Sequence, residues 1–362
     1  MAVADLSRAP ELTFDDGPES SRPEGQWALT WRRLRRDRVA LASGIFLVVL
    51  LFAVGPGAPL YERAVGHGPN DLFPYAVNVS LRPAGPFTVT WATSTLADDD
   101  PFAFTHKDPP QGTKKTLLLL GADSQLGRDE FLRLLYGGRV SLEVAVGAAV
   151  LAIAIGLVLG SIAGFFGGVV DSVISRFTDL VMAFPVLLLA IVLGSTFSKK
   201  LDDVTLGGAL NQGVLSLILL IGLFTWFYPA RIVRSLILSL RAREFVEAAE
   251  MVGSSDGKIM RTHLFPHVIP ALTVWATLAV ATNIMLEAGI TFLGVGIKLP
   301  TSSWGTMLAA TWGTVLSPNT YNPLAFSPWL TLIPSLAIFL TVLALTLFGE
   351  GLREAFDPRG IR

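Results

Sequence analysis

Residues Val140 to Phe166, VSLEVAVGAAVLAIAIGLVLGSIAGFF, form a stretch of 27 residues whose only charge is Glu143. An α-helix rises 1.5 Å per residue, so the stretch reaches about 40 Å and exceeds the roughly 30 Å hydrocarbon core of a bilayer. It is too long for an ordinary strand and too apolar for a surface helix. Since backbone polar groups in lipid must be satisfied within the segment itself, the stretch predicts a membrane-spanning helix.

Five further stretches have the same character. The complete set of predicted spans is 39–56, 140–166, 177–197, 214–237, 268–297 and 328–348. A cleaved signal peptide is an alternative interpretation of the first span, because a basic flank precedes it and Ala53-Val54-Gly55 loosely resembles a cleavage site. A leader of 38 partly acidic residues is unusual, so we expect an all-α polytopic membrane protein with six transmembrane helices.

Positive charge is unevenly distributed between the loops. Near the span ends, thirteen Lys and Arg residues lie on the side of both termini and of the loop 238–267, against three in the short loops of the opposite side. An excess of Lys and Arg marks the cytoplasmic side, so both termini are predicted to be cytoplasmic. The chain then divides into a partly disordered N-terminal tail 1–38, an enlarged external segment 57–139, a core 140–348 and a C-terminal tail 349–362.

The external segment between the first two spans is a candidate for a small extra unit. Phe87 to Trp91 alternates between apolar and polar side chains, and Gly and Pro residues divide the rest, which predicts short strands and turns. Asp98-Asp99-Asp100 lacks the ligand spacing of a calcium loop, so we interpret it as a solvated turn.

The composition argues against several classes of function. The net charge is −1 and no long basic block is present, so a nucleic-acid-binding protein is not expected. The chain has no Cys, which excludes disulfides, thiolate metal sites and a cysteine nucleophile.

No catalytic group or bound cofactor is expected on this chain. Gly253 to Ile259 misses the spacing of a phosphate-binding loop by one residue and lacks its magnesium-binding hydroxyl, and no Gly-x-Ser-x-Gly elbow occurs. His263 and His267 are four residues apart, as helical metal ligands are, but Pro266 lies between them and no carboxylate is placed nearby. We therefore predict neither an enzyme nor a metal site.

The loop between the fourth and fifth spans, 241–267, is too polar for lipid and too regular for a simple connection. Apolar and acidic side chains fall on opposite faces of a helix there. The apolar face consists of Phe245, Ala248, Ala249 and Val252, and the acidic face includes Glu244, Glu247 and Glu250.

A second short helix is predicted to follow the first. Gly253 is a suitable C-cap, and Ser254, Ser255 or Asp256 can begin a helix that is expected to end near Pro266. The result is a helix-turn-helix that is continuous with two membrane spans.

This loop resembles a known family. Glu247-Ala248-Ala249, then three residues, then Gly253, with Pro266 thirteen positions later, are similar to the EAA loop of ABC-importer permeases. We therefore call residues 241–267 the EAA segment. The resemblance implies that its residues couple the membrane helices to an ATPase, and the candidate coupling residues are Glu247, Ala248, Ala249, Gly253, Ser254, Asp256 and Pro266.

Three further stretches, within 121–142, 286–296 and 300–305, resemble the dipeptide, oligopeptide and nickel branch of that family. The resemblance implies a permease subunit that forms the membrane path of an ATP-driven importer for peptides or similar small solutes. It also implies a prokaryotic inner membrane, a second permease in a heterodimer, two cytoplasmic ATPase subunits that bind ATP and Mg, and an external solute-binding protein.

A row of small residues and a few charges stand out within the spans. Gly156, Gly160, Gly164 and Gly168 recur every four residues, which suits close helix packing inside the subunit or at a subunit interface. Burying a charged side chain in a membrane costs free energy, so each such residue is a candidate functional residue by default.

Five charges lie inside the predicted spans. Four of them are near span ends, where they can snorkel: Glu143, Asp179, Arg231 and Arg234. Glu287 lies deeper, so it is a candidate for lining the path or for pairing across helices, and Asn283 lies on the same helical face.

Two alternatives to an ATP-driven permease follow from the spans alone. A secondary transporter driven by an ion gradient usually contains an internal repeat with interrupted helices, and we find none. An integral-membrane enzyme requires titratable groups gathered at one depth, whereas these are scattered.

Overall fold

The computed structural model of the chain describes residues 26–77, 83–91, 115–123, 126–193, 213–315 and 327–356. Several predictions lie partly outside these residues. They are the tail 1–25, parts of the external segment with Asp98-Asp99-Asp100, the end of the third span at 194–197, and the C-terminal residues 357–362.

Helices dominate the described residues. Numbered in chain order, they are α1 Gln26–Leu34, α2 Arg38–Phe52, α3 Ala58–Val65, α4 Glu130–Phe166, α5 Gly168–Met182, α6 Val186–Leu193, α7 Val214–Leu223, α8 Phe227–Arg241, α9 Glu244–Met251, α10 Asp256–Ile259, α11 Phe265–Phe292, α12 Trp304–Val315 and α13 Trp329–Phe356. Short π-helical turns, Ala53–Gly57 and Met260–Leu264, join α2 to α3 and α10 to α11.

Four continuous helices are long and apolar enough to cross a membrane: Arg38–Val65, Glu130–Phe166, Asp256–Phe292 and Trp329–Phe356. Two further pairs pass the same test together but are bent, by 74° between α5 and α6 and by 41° between α7 and α8. The described residues therefore contain four spans, or up to six if each bent pair crosses once.

Prolines account for the two bends. Pro185 disfavours helical geometry at the residue before it, Phe184, where α5 gives way to α6. Pro229 in the first turn of α8 has no N–H to donate to the carbonyl of Thr225, at the break between α7 and α8. The predicted spans 177–197 and 214–237 are thus angled pairs of helices.

Three predicted boundaries differ from the structure. The helix of the second span begins at Glu130, ten residues before the predicted start, because the Asp129 carboxylate caps it by accepting from the N–H groups of Phe131 and Leu132 at 2.8 and 3.2 Å. The fifth helix ends at Phe292 before Gly294, whose φ is +81°. The sixth continues to Phe356, through most of the predicted tail.

Two small antiparallel strand pairs precede α4. Strand β1, Thr88–Trp91, pairs with β2, Lys115–Leu118, and β3, Ala122–Asp123, pairs with β4, Arg128–Asp129. The alternating stretch thus forms a strand, as predicted. An added Cβ at Gly121, whose φ is +84°, would lie 2.4 Å from the Ala84 carbonyl oxygen, so this position between β2 and β3 requires glycine.

A buried charge cluster attaches these strands to the start of α4. Arg128 donates to both oxygens of Asp123, at 3.1 and 2.7 Å, and Arg133 Nε lies 2.8 Å from the same carboxylate. Arg133 Nη1 also donates to Asn70 Oδ1 at 2.9 Å. Burial raises the pKa of the neighbouring Asp129 carboxyl. Strands β3 and β4 are therefore joined to the start of α4 by buried ion pairs.

Helices α4 and α8 are in close contact in the membrane region. An added Cβ would lie 2.8 Å from Ala230 N at Gly156, 2.5 Å from Ala230 O at Gly160 and 2.9 Å from Arg234 O at Gly164. These three glycines therefore let two backbones of the same chain touch. Gly168 is not part of the row, because α4 ends at Phe166 and Gly168, with a φ of +53°, is the first residue of α5.

We expect Gly160→Ala to destabilise the protein by roughly 1–3 kcal/mol, the usual cost of overpacking a filled interior. Thermal unfolding of the purified protein in detergent measures the loss. Gly289→Ala is the matched control, because an added Cβ there meets no atom within 4 Å. Equal melting temperatures for the two variants would contradict a close α4–α8 contact.

Candidate functional site

The EAA segment forms two short helices that pack on the ends of α4 and α8. Val246 of α9, Ile259 of α10 and Leu264 of the following turn are completely buried. They share one apolar cluster with Val233 and Ile237 of α8. The segment is therefore anchored through these three residues. The predicted apolar face is wrong, because Phe245, Ala248 and Val252 are exposed, as are the acidic residues Glu244, Glu247 and Glu250.

The turn between the two helices is a Schellman motif. Gly253 N donates to Glu250 O at 2.9 Å, and Ser254 N donates to Ala249 O at 3.0 Å. Gly253 has a φ of +82°, which only glycine adopts without strain. The prediction that Gly253 ends the first helix is confirmed.

Helix α10 begins after Ser255. Ser255 is the N-cap, with a φ of −69° and a ψ of 149°, but its side chain makes no capping hydrogen bond. Lys258 N and Ile259 N donate to the Ser255 carbonyl at 2.9 and 3.0 Å. Of the three candidate caps, Ser255 is the one at the helix start.

The prediction that Pro266 ends this second helix is wrong. The π turn Met260–Leu264 lies just before Pro266, and Phe265 N donates to Met260 O, five residues back. The π turn shifts the pattern of backbone hydrogen bonds by one residue just before Pro266, which has no N–H to donate. Pro266 then lies in the first turn of α11, where proline is tolerated. Residues Asp256–Phe292 consequently form one helix of 37 residues.

The two histidines near Pro266 contact an aromatic ring. The ring centroid of Phe245 lies 6.4 Å from that of His263 and 5.9 Å from that of His267, so this cluster joins α9 to the long helix. Among the described residues, no group of three or more His, Cys, Asp or Glu side chains could hold a metal ion.

The tip of the EAA segment exposes apolar side chains. Met251 is 83% exposed and Val252 is 86% exposed, although both belong to the part of the chain that is too polar for lipid. The candidate coupling residues surround this tip. Glu247, Ala248, Gly253, Asp256 and Pro266 are exposed, and Ala249 and Ser254 are half-buried.

Glu287 and Asn283 connect α11 to α4. Glu287 is completely buried, and its carboxylate accepts from Ser141 Oγ of α4 at 2.8 Å and from Thr291 Oγ1 at 3.0 Å. Asn283 Nδ2 donates to the Ala145 carbonyl at 3.1 Å. These are interhelical contacts inside the protein. The partners of Glu287 were not predicted from the sequence. Thr291 could have been, because side chains four residues apart are neighbours on the same face of a helix.

Three of the other charges of the predicted spans, Asp179, Arg231 and Arg234, take part in ion pairs between α5 and α8. Arg234 donates to both carboxylate oxygens of Asp171, and Arg231 Nη2 donates to Asp179 Oδ1. Asp171 was not predicted from the sequence, and the other three side chains were expected to snorkel. Asp171 and Asp179 are eight residues apart, which places them on one helical face, so that spacing could have indicated a shared partner helix.

We expect Glu287→Ala to be destabilising, because it leaves the buried hydroxyls of Ser141 and Thr291 without their acceptor at about 1–3 kcal/mol for each unsatisfied group. Glu287→Gln keeps one acceptor oxygen and should lose less. Thermal unfolding in detergent distinguishes the two variants. If both melted like the unaltered protein, the carboxylate would not be holding α11 to α4.

The chain matches known families along most of its length. Residues 156–362 match the family described as binding-protein-dependent transport system inner membrane component. Residues 25–65 match the N-terminal transmembrane domain of oligopeptide transport permease C. The first region contains the whole EAA segment.

Individual proteins are similar as well. The oligopeptide transport system permease protein OppC of Escherichia coli K12 is 34% identical over 357 residues, which are 98% of this chain and 99% of that one. The glutathione transport system permease protein GsiD of Escherichia coli O6:K15:H31 is 31% identical over 92% of this chain and 90% of its own. The methionine ABC transporter MetNI, solved in inward-facing conformations, aligns with 62% of this chain and 96% of its own at 18% identity and a TM-score of 0.46.

Proposed function

The chain belongs to the family of binding-protein-dependent transport inner membrane components and is the permease subunit of an ABC importer, and we propose that it imports di- or oligopeptides or similar small solutes. The names of the similar permeases support peptides, since they describe oligopeptide and glutathione transport.

The observation that carries a coupling role is the continuity of the long helix. Its first turn, Asp256–Ile259, lies in the EAA segment, and its last residue, Phe292, is 36 residues further along the same helix. A displacement of Asp256, which follows the turn at the EAA tip, is therefore transmitted to the membrane region without an intervening loop. We propose that the ATPase moves this tip and that the bundle alternates between two openings.

The proposed assembly has further subunits. It contains a second permease in a heterodimer, two ATPase subunits that bind ATP and Mg, and an external solute-binding protein. In the orientation favoured by the Lys and Arg distribution, both termini and the EAA segment are in the cytoplasm of a prokaryotic cell. Catalysis then resides on the ATPase subunits, and this chain contributes the path and the mechanical connection.

The exposed apolar tip is the proposed contact with the ATPase. Met251→Asp places a carboxylate at a position that is 83% exposed, so it should leave folding unchanged while an apolar contact is lost. We expect less ATPase to be retained when the tagged permease complex is purified in detergent. Arg353→Asp, on the exposed last turn of α13, is the control. Equal retention by both variants would exclude Met251 from the interface.

The turn at Gly253 is proposed to set the angle of that tip. Gly253→Trp requires a bulky residue at a φ of +82°, which L-residues adopt only with strain. We expect ATP hydrolysis to continue while peptide uptake falls, with normal amounts of protein in the membrane. Gly253→Asn is the matched control, because Asn tolerates this conformation better. Normal uptake by a well-expressed Gly253→Trp variant would contradict the coupling role.

Glu247→Lys, which reverses an exposed charge in the first turn of α9, should uncouple ATP hydrolysis from peptide uptake in the same way.

Reconstitution tests the function directly. The chain is co-expressed with the permease, ATPase and binding-protein genes that flank it, and the complex is placed in liposomes. ATP-dependent peptide uptake that requires the binding protein is the expected result. Uptake by this chain alone, driven by an ion gradient, would instead support a secondary transporter.

A further inference from the structure

A polar cavity lies between α5 and α8, in the half of the bundle nearer the EAA segment. Its volume is about 330 Å³, and its polar walls are Ser175, Thr178, Asp179, Arg231 and Arg234. Arg231 is ten residues before Arg241, which donates to the last turn of α4 at Phe165 O. At 1.5 Å per residue the cavity is about 15 Å from that end of the bundle, which places it within the membrane region.

The two ion pairs of this cavity differ in exposure. The side chains of Asp179 and Arg231 are 57% and 51% exposed, against 17% and 36% for Asp171 and Arg234. Charged side chains within a membrane face the interior of a bundle or a water-filled cavity and not lipid. The exposed pair therefore marks a face of α5 and α8 that is turned towards water or towards another subunit, and not towards lipid.

The two arginines also differ in how many of their donors are used. Arg234 donates from Nε and Nη2 to both oxygens of Asp171, which occupies one edge of its guanidinium. Arg231 donates only from Nη2 to Asp179 among the described residues. A guanidinium has five N–H donors and binds a carboxylate through two parallel hydrogen bonds. Arg231 therefore has donors left for a second carboxylate.

A permease that accepts peptides of many sequences can recognise only the groups they share. Each linear peptide has one C-terminal carboxylate, which is the anion that a guanidinium fits best. A half-exposed ion pair contributes little to stability, so Asp179 can give up Arg231 to such a ligand and recover it afterwards. Weak binding of this kind is what a transport path requires, because the solute must leave again.

We propose that Arg231 is a transient binding site for the C-terminal carboxylate of a peptide in the transport path, with Asp179 holding the guanidinium when the site is empty. This inference rests on the proposed function. The cavity is at the small end of the roughly 300–1,000 Å³ range of ligand pockets, so it takes one end of a peptide and not its whole length. Arg234, held by Asp171, is part of the wall.

The absence of Cys from the chain allows a direct test by thiol labelling. Ser175→Cys introduces one thiol into the cavity wall. The complete complex in lipid nanodiscs, where both faces are open to solvent, is treated with a charged thiol reagent. We expect labelling of Ser175→Cys, slower labelling in millimolar tripeptide with a free carboxylate, and no slowing by the same tripeptide as its C-terminal amide. Adding Arg231→Gln should abolish the protection, and adding Arg234→Gln should not.

Val173→Cys is the control on the same helix. Val173 is 62% exposed and is not part of the cavity wall, so the peptide should not change the reaction of its thiol. Failure of Ser175→Cys to react would show that the cavity is not aqueous and would overturn the proposal. The proposal would also be overturned if the acid and the amide protected the thiol equally, or if inorganic phosphate protected it as well as the acid does. Protection that persisted after Arg231→Gln would overturn it too.

Transport gives an independent measurement. Arg231→Gln should raise the KM for uptake of the free-acid peptide several-fold with little change in the maximal rate, whereas a purely structural ion pair would lower the maximal rate and the amount of folded protein. ATP-driven uptake by the unaltered complex is measured in the same preparation. Its absence would contradict the proposed function, whereas normal uptake without carboxylate-dependent protection would contradict only this inference.

Discussion

The contact between α4 and α8 is the constraint on which the bundle depends. Helices in lipid gain little from hydrophobic association, because the lipid tails are as apolar as the side chains, so close van der Waals contact has to replace it. Gly156, Gly160 and Gly164 supply that contact by letting the α8 backbone rest against α4. The position of α8 in turn fixes the apolar cluster under the EAA segment and the two arginines that face α5.

The long helix Asp256–Phe292 depends on a local exception to the usual effect of proline. A proline inside an α-helix removes one hydrogen bond and clashes with the preceding turn. Here the π turn 260–264 shifts the register just before Pro266, so the helix continues. π turns of this kind are frequent at functional sites, and this one lies where the EAA segment meets the membrane.

Sequence reasoning succeeded where one physical effect dominated. Long apolar runs predicted the membrane helices, and the unique conformational freedom of glycine predicted the turn at Gly253. It failed where local backbone effects override the apolar pattern. The bends at Pro185 and Pro229, the continuation through Pro266 and the early start of α4 at Glu130 each depend on local hydrogen bonds that compete with an otherwise helical pattern. Gly168 continued the row in the sequence, but the helix had already ended.

The charges of the spans show two solutions to one energetic problem. Glu287 is removed from both lipid and water and is satisfied by hydroxyls of α4 and of its own helix, so its carboxylate joins α11 to α4. Arg231 and Asp179 are only half covered, which would be costly against lipid and is acceptable against water. Sequence position could not separate these cases, because depth along a span does not say which face of a helix a charge occupies. Exposure does separate them, because the carboxylate of Glu287 is enclosed by neighbouring helices whereas the ion pair of Arg231 and Asp179 is half open at the surface of the chain.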